Sequence, residues 1–114
     1  MVTFLLTGKP KLKVDRQYKS TQKIKGGSHM KLEVQITEGF PKPNITWYHN
    51  DQSVESDSSI LIDNTEKSSK LEVLRSDKNA SGIYRVVAEN AVGSDSLDFT
   101  VEVKGEYMVG YLYI

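Results

Sequence analysis

Two histidines, a loose trio of carboxylates and a scatter of serines are the residues that could do chemistry in this chain. His29 and His49 are its only histidines. A metal site needs several ligands converging at close range, and nothing in the spacing signals them, so both are read as surface histidines. They fall on two expected strands, on the face opposite the apolar set. Asp51, Glu55 and Asp57 form an acidic cluster, but the spacing and turning glycine of a calcium-binding EF-hand loop are missing. A solvated loop is the expectation there. No serine comes with a base and an orienting acid that the sequence identifies. Gly8 and Gly26-Gly27 sit in no phosphate-cradling pattern. The chain has no cysteine, which removes thiol catalysis, thiolate-bound zinc and a disulfide framework. No catalytic residue, cofactor site or metal site is expected.

Composition narrows the class further. The chain has 114 residues, with 15 Lys and Arg against 15 Asp and Glu. That length closes one core without staples, and a formal charge of zero gives no electrostatic reason to expect nucleic acid or an anionic membrane as partner. No apolar run approaches the roughly 20 residues that span a bilayer. Met1-Val2-Thr3-Phe4-Leu5-Leu6-Thr7 lacks the basic start and the apolar length of a signal peptide. The expectation is therefore a soluble, intracellular domain. Asn44-Ile45-Thr46 and Asn79-Ala80-Ser81 fit the glycosylation sequon, and without a signal peptide neither would be used. Lys9, Lys11, Lys13, Arg16, Lys19, Lys23, Lys25 and Lys31 gather early, and the stretch from Asp51 to Glu66 leans acidic. A solvated edge protected by lysines accounts for this; orientation against an oppositely charged neighbour is the alternative.

The elements that would carry these residues are strands. Short alternating runs recur about every ten residues, separated by Gly, Pro, Asn, Asp and Ser, the pattern of an all-β sandwich or barrel. Leu32, Val34 and Ile36 form one apolar set, Ile45 and Trp47 another, then Ile60 and Ile62, Leu71 and Val73, Tyr84, Val86 and Ala88, and Leu97, Phe99, Val101 and Val103. With a period of two, each set occupies one face, which suits antiparallel sheets packed face to face. Gly39-Phe40-Pro41-Lys42-Pro43 breaks the pattern, since proline cannot donate to a ladder. Residues 50–59 read as a connection and Asp63 to Ser69 as a turn region. Asn90-Ala91-Val92-Gly93 reads as a hairpin loop with Gly93 available for positive φ.

From Gly27 to Val103 the chain resembles an immunoglobulin domain of the I-set type. Three stretches carry the likeness: Gly39-Phe40-Pro41-Lys42-Pro43-Asn44-Ile45-Thr46-Trp47-Tyr48, Ser81-Gly82-Ile83-Tyr84-Arg85-Val86, and Ala88-Glu89-Asn90-Ala91-Val92-Gly93-Ser94. The resemblance implies an all-β, two-sheet antiparallel Greek-key sandwich, with Pro10 opening its first strand. It makes Trp47 the core tryptophan, Tyr84 the tyrosine corner and Gly82 the residue that turns the chain into the following strand. The family's paired cysteines would fall at Val34 and Val86, so no disulfide is expected and aliphatic packing replaces it. A disulfide closing a loop of about 52 residues contributes near 4 kcal/mol on the chain-entropy model, yet would not persist in a reducing compartment. The family's usual acidic residue before that strand is Ala80 here, which implies a less rigid loop. Gly27-Ser28-His29-Met30 matches the scar of a cleaved affinity tag, but Lys25-Gly26-Gly27-Ser28 also suits the turn before the family's second strand, the reading adopted here.

I-set domains without the disulfide look most like those of the intracellular giant muscle and cytoskeletal proteins, such as titin, twitchin, obscurin and the myosin-light-chain-kinase relatives. The resemblance implies a non-catalytic structural and protein-binding module of a cytoplasmic sarcomeric or cytoskeletal scaffold, joined to neighbouring domains and binding through strand edges or loops. The alternatives are a cell-adhesion or receptor ectodomain, or a regulatory domain flanking a muscle kinase. The expected organisation is an N-terminal apolar tail at 1–8, the immunoglobulin domain at 9–104 and a C-terminal apolar tail at 105–114. The tails are rich in β-formers, so Phe4, Leu5, Tyr107, Val109, Tyr111 and Tyr113 are candidate assembly strands for self-association; linker stubs from adjacent domains are the equal alternative.

Overall fold

Period-two alternation and frequent turn residues give nine strands in the computed structural model, which describes residues 7–15 and 21–105. They are β1 (Gly8–Lys13), β2 (Thr21–Lys25), β3 (Met30–Phe40), β4 (Asn44–His49), β5 (Gln52–Val54), β6 (Ile60–Asn64), β7 (Ser68–Val73), β8 (Gly82–Glu89) and β9 (Ser94–Lys104). One sheet has four strands in the order β1-β3-β7-β6, and the other has five in the order β2-β9-β8-β4-β5. The chain crosses between sheets after β1, β2, β3, β5 and β7, the Greek-key pattern of an immunoglobulin sandwich. The candidate assembly strands in the two tails, Phe4, Leu5, Tyr107, Val109, Tyr111 and Tyr113, lie outside the described residues.

Most of the apolar positions read from the sequence face one another across the sheets, joined by Met30, while Ile36 stays outside the core cluster. Met30, Leu32, Val34, Leu71 and Val73 on one side meet Trp47, Tyr84, Val86, Phe99, Val101 and Val103 on the other. The indole of Trp47 stacks on the ring of Phe99, with centroids 6.2 Å apart, within the range that favours aromatic pairs.

Several local features depart from the sequence expectation. Residues 50–59 are not merely a connection, because Gln52, Ser53 and Val54 pair with His49, Tyr48 and Trp47 as β5. Asn50 and Asp51 both take positive φ, 49° and 69°, as a two-residue hairpin turn requires, and Asn and Asp tolerate that region better than other side chains. The Asp63–Ser69 turn region shrinks to Thr65–Lys67, its flanks belonging to β6 and β7. Pro10 lies inside β1 rather than opening it, at a register irregularity between Gly8 and Lys11, where a missing ladder donor is tolerated. The sheets are also not wholly antiparallel: β2 runs parallel to β9, with Thr21 opposite Thr100 and Lys25 opposite Lys104.

Candidate functional site

Val34 and Val86 are fully buried on opposite sheets. In the ladders, Val34 is opposite Ser69 and Val86 is opposite Trp47. The indole N–H of Trp47 donates to Ser69 Oγ at 2.8 Å, and Ser69 in turn donates to Asn64 Oδ1. A hydrogen bond therefore joins the two sheets through the core, one ladder neighbour away from the valine pair. Ser69 is fully buried, and with both of these partners it costs little to bury. Its signal was parity: it shares a face with Leu71 and Val73, so a serine stood where the pattern demanded an inward side chain.

Tyr84 is 1% exposed, and its hydroxyl donates to the Ala80 carbonyl at 2.7 Å, the geometry of a tyrosine corner. Burial, and secondarily the nearby Asp77 carboxylate, pushes its phenol up to about 12. His49 is not on the outer face. It shares parity with Trp47, so its ring turns toward the core side, stacking on Tyr84 with centroids 4.2 Å apart and planes 7° from parallel. Its Nε2–H donates to the Ser81 carbonyl at 2.8 Å. Thus β4 and β8 both grip the segment at residues 80–82. That segment begins as the short 3-10 turn Lys78–Ala80, whose N-cap Asp77 accepts from the Asn79 N–H at 2.8 Å. Gly82 has φ +132°, and the space its Cβ would fill is taken by the Asn50 side chain, whose Oδ1 accepts from the Ile83 N–H at 2.9 Å.

The remaining candidates for chemistry do not converge. His29 precedes β3 and its Nε2 donates to Glu72 Oε2 at 2.7 Å. That bond and the neighbouring Lys70 hold the Glu72 carboxyl below its ordinary range. Asp51 sits in the β4–β5 turn, while Asp57 turns onto the backbone of its own loop. Among the described residues no group of three or more His, Cys, Asp or Glu is placed to hold a metal ion, and no helix is long and apolar enough to cross a membrane.

Gly93 does not use positive φ. Lys9 lies across it instead, and an added Cβ would meet Lys9 Cβ at 3.0 Å, a tight contact that the lysine would have to yield to. The turn is instead shaped by Asn90, whose Oδ1 accepts from the Val92 and Gly93 N–H groups. Asn90 Nδ2 donates to the carbonyls of Gly8 at 2.9 Å and Pro41 at 3.0 Å, tying three segments into one end of the molecule. Phe40 and Val92, 54% and 49% exposed, stand at that end.

A two-sheet Greek-key sandwich with a core tryptophan, a tyrosine corner and no cysteine defines a class of protein, and comparison with known proteins places the chain within it. The immunoglobulin I-set domain model matches residues 12–103. The chain belongs to the immunoglobulin I-set family. It is similar to Titin of Drosophila melanogaster, 33% identical over 98 residues that make up 86% of this chain and, to the nearest per cent, 0% of that protein. The Muscle M-line assembly protein unc-89 of Caenorhabditis elegans is 28% identical over 92 residues, 81% of this chain and 1% of that protein. Neural cell adhesion molecule 1 of Bos taurus is 27% identical over 75 residues, 66% of this chain and 9% of that protein. Among solved structures, a tandem pair of titin immunoglobulin domains superposes with a TM-score of 0.79 at 25% identity, covering 88% of this chain and 51% of that one. The chain thus corresponds to one module within far longer relatives.

Proposed function

We propose that this chain is a non-catalytic structural and protein-binding module of a cytoplasmic sarcomeric or cytoskeletal scaffold. The observation that carries the reading is the bridge between the sheets. Valines stand where the resemblance puts the family's cysteines, and the Trp47–Ser69 hydrogen bond crosses the core beside them. Such a core needs no oxidising compartment. The kinship with titin and unc-89 modules supports the same reading. Its partners are neighbouring domains and other proteins, met through strand edges or through the end that carries Phe40 and Val92. The immunoglobulin domain occupies 9–104, with Gly8 already paired in β1, and one or both apolar tails serve association with a second copy. Sedimentation of the whole chain against one trimmed to 9–104 checks the tails; equal monomeric behaviour of both at high concentration rules out tail-mediated assembly.

A fluorescently tagged chain expressed in cultured muscle cells tests the main reading. Bands in register with the sarcomere are expected, and a uniform cytosolic distribution contradicts it. The kinship with a neural cell adhesion molecule favours the cell-surface alternative. Asn44 and Asn79 are both exposed, so on that alternative both sequons are open to glycosylation. Mass spectrometry of the protein from its natural source separates the two, since a glycosylated Asn44 or Asn79 places the chain outside the cytoplasm.

A further inference from the structure

Strand β6 ends the four-stranded sheet, yet its outer edge is not left open. In an antiparallel pair, alternate residues turn their N–H and C=O toward the partner, and the residues between turn theirs away. Ile60 and Ile62 turn away from β7, and the loop just before β6 occupies both positions. Asp57 Oδ1 accepts from the Ile60 N–H at 2.8 Å, and the Ile60 carbonyl accepts from the Asp57 N–H at 2.8 Å. The Ser56 hydroxyl accepts from the Ile62 N–H at 2.9 Å and lies 3.5 Å from the Ile62 carbonyl. Ser59 holds the loop in this shape. Its N–H and hydroxyl donate to Asp57 Oδ1 at 2.7 and 3.0 Å, and its carbonyl accepts from the Leu74 N–H at 3.0 Å. Two side chains and one main-chain group thus take the places of an incoming strand.

We propose that residues 55–59 are a latch over a strand-pairing surface, and that the partner this surface fits is the β6 edge of a second copy of the chain. The residues of β6 suit such pairing. With two copies antiparallel about Ile62, Ile62 meets its counterpart and Ile60 meets Asn64, so the outward ladder groups align. On the outer face Leu61 meets Asp63, and no two like charges are directly opposed. Leu61, 44% exposed, lies on the edge strand itself and gains cover at the junction. Two four-stranded sheets become one of eight. An open edge of this kind is an association hazard, and the latch keeps it closed in the native chain. The Asp57 carboxyl, held below its ordinary range by the Ser59 and Ile60 N–H groups and the Ser59 hydroxyl, is charged and set to accept. The inference holds whatever scaffold carries the domain.

Amide hydrogen exchange on the full chain and on a Ser56→Ala/Asp57→Ala variant tests this. In the native chain the Ile60 and Ile62 amides are expected to exchange about tenfold more slowly than in the dilute variant, which has lost their side-chain acceptors. Raising the concentration of the variant is expected to restore protection at Ile60, Ile62 and Asn64, together with a dimer in sedimentation. Because the readout is at named β6 amides, association through the tails does not mimic it. Native Ile60 and Ile62 amides exchanging as fast as in the dilute variant overturn the latch. A folded variant whose β6 amides gain no protection with concentration overturns the pairing surface. If the double variant does not fold, Ser56→Ala alone carries the same two comparisons at Ile62.

Discussion

At the scale of single residues, the core is specified by what its few polar atoms touch. Trp47 contributes bulk, but it also needs a partner for its N–H, and Ser69 on the other sheet is that partner. Trp47→Ala is expected to cost about 3–5 kcal/mol by leaving a large cavity. Ser69→Ala is expected to cost about 1–3 kcal/mol, because it strands a buried indole N–H. Denaturant unfolding measures both, and a neutral Ser69→Ala would show that the cross-sheet bond contributes nothing. Tyr84 gives a pH signature. Its phenol is pushed up to about 12 by burial, while in the unfolded chain it ionises near 10. Its contribution is therefore whole below pH about 10 and is lost as pH rises from there toward about 12. Tyr84→Phe is expected to flatten that alkaline decline, and an unchanged decline would assign it to other groups. The tryptophan and the tyrosine were legible because their motifs carry them. Ser69 was not, since a serine within a Ser-rich stretch reads as turn chemistry even at a position whose parity faces inward. His49 is hard to place for a related reason: a polar ring reads as outward even where it alternates in step with Trp47.

Among the elements, turns and edges decide what the strands can do. Gly82 begins β8 at φ +132° with the Asn50 side chain packed where a Cβ would stand. Gly82→Ala is expected to cost at least about 1–3 kcal/mol from backbone strain alone. A thermal midpoint within a degree of the native one would contradict the packing. The loop that closes β6 has its own pH dependence. The Asp57 carboxyl is held below its ordinary range by the Ser59 and Ile60 N–H groups. A depressed carboxylate adds stability that is present above the unfolded value and is lost as pH falls through the folded one. Slow exchange at the Ile60 amide is thus expected to hold at pH 5 and to weaken as pH falls below the ordinary aspartate range; protection undiminished there would mean that the charge on Asp57 does not strengthen the bond. Most strands could be read from alternation because each has one apolar face. The short β5 could not, since three residues at an edge carry no periodicity and the signal was the Asn50-Asp51 turn itself. The parallel β2–β9 pairing was equally invisible, because alternation reports which face is buried and not which direction a neighbour runs.

For the whole molecule, two sheets hold together with no disulfide across the core. Val34 and Val86 are buried on opposite sheets, each a ladder neighbour of one end of the Trp47–Ser69 bond. That arrangement does not depend on an oxidising compartment. It also makes the sandwich testable as a unit, because only the right register of both sheets brings these positions within bridging distance. The most direct measurement is a thiol count and an unfolding curve on the Val34→Cys/Val86→Cys variant after oxidation in air. One intramolecular disulfide in a folded chain, with stability raised by up to about 4 kcal/mol and returned to the reduced level by a thiol reagent, is the expected result. Two persistently free thiols in the folded variant would contradict the account.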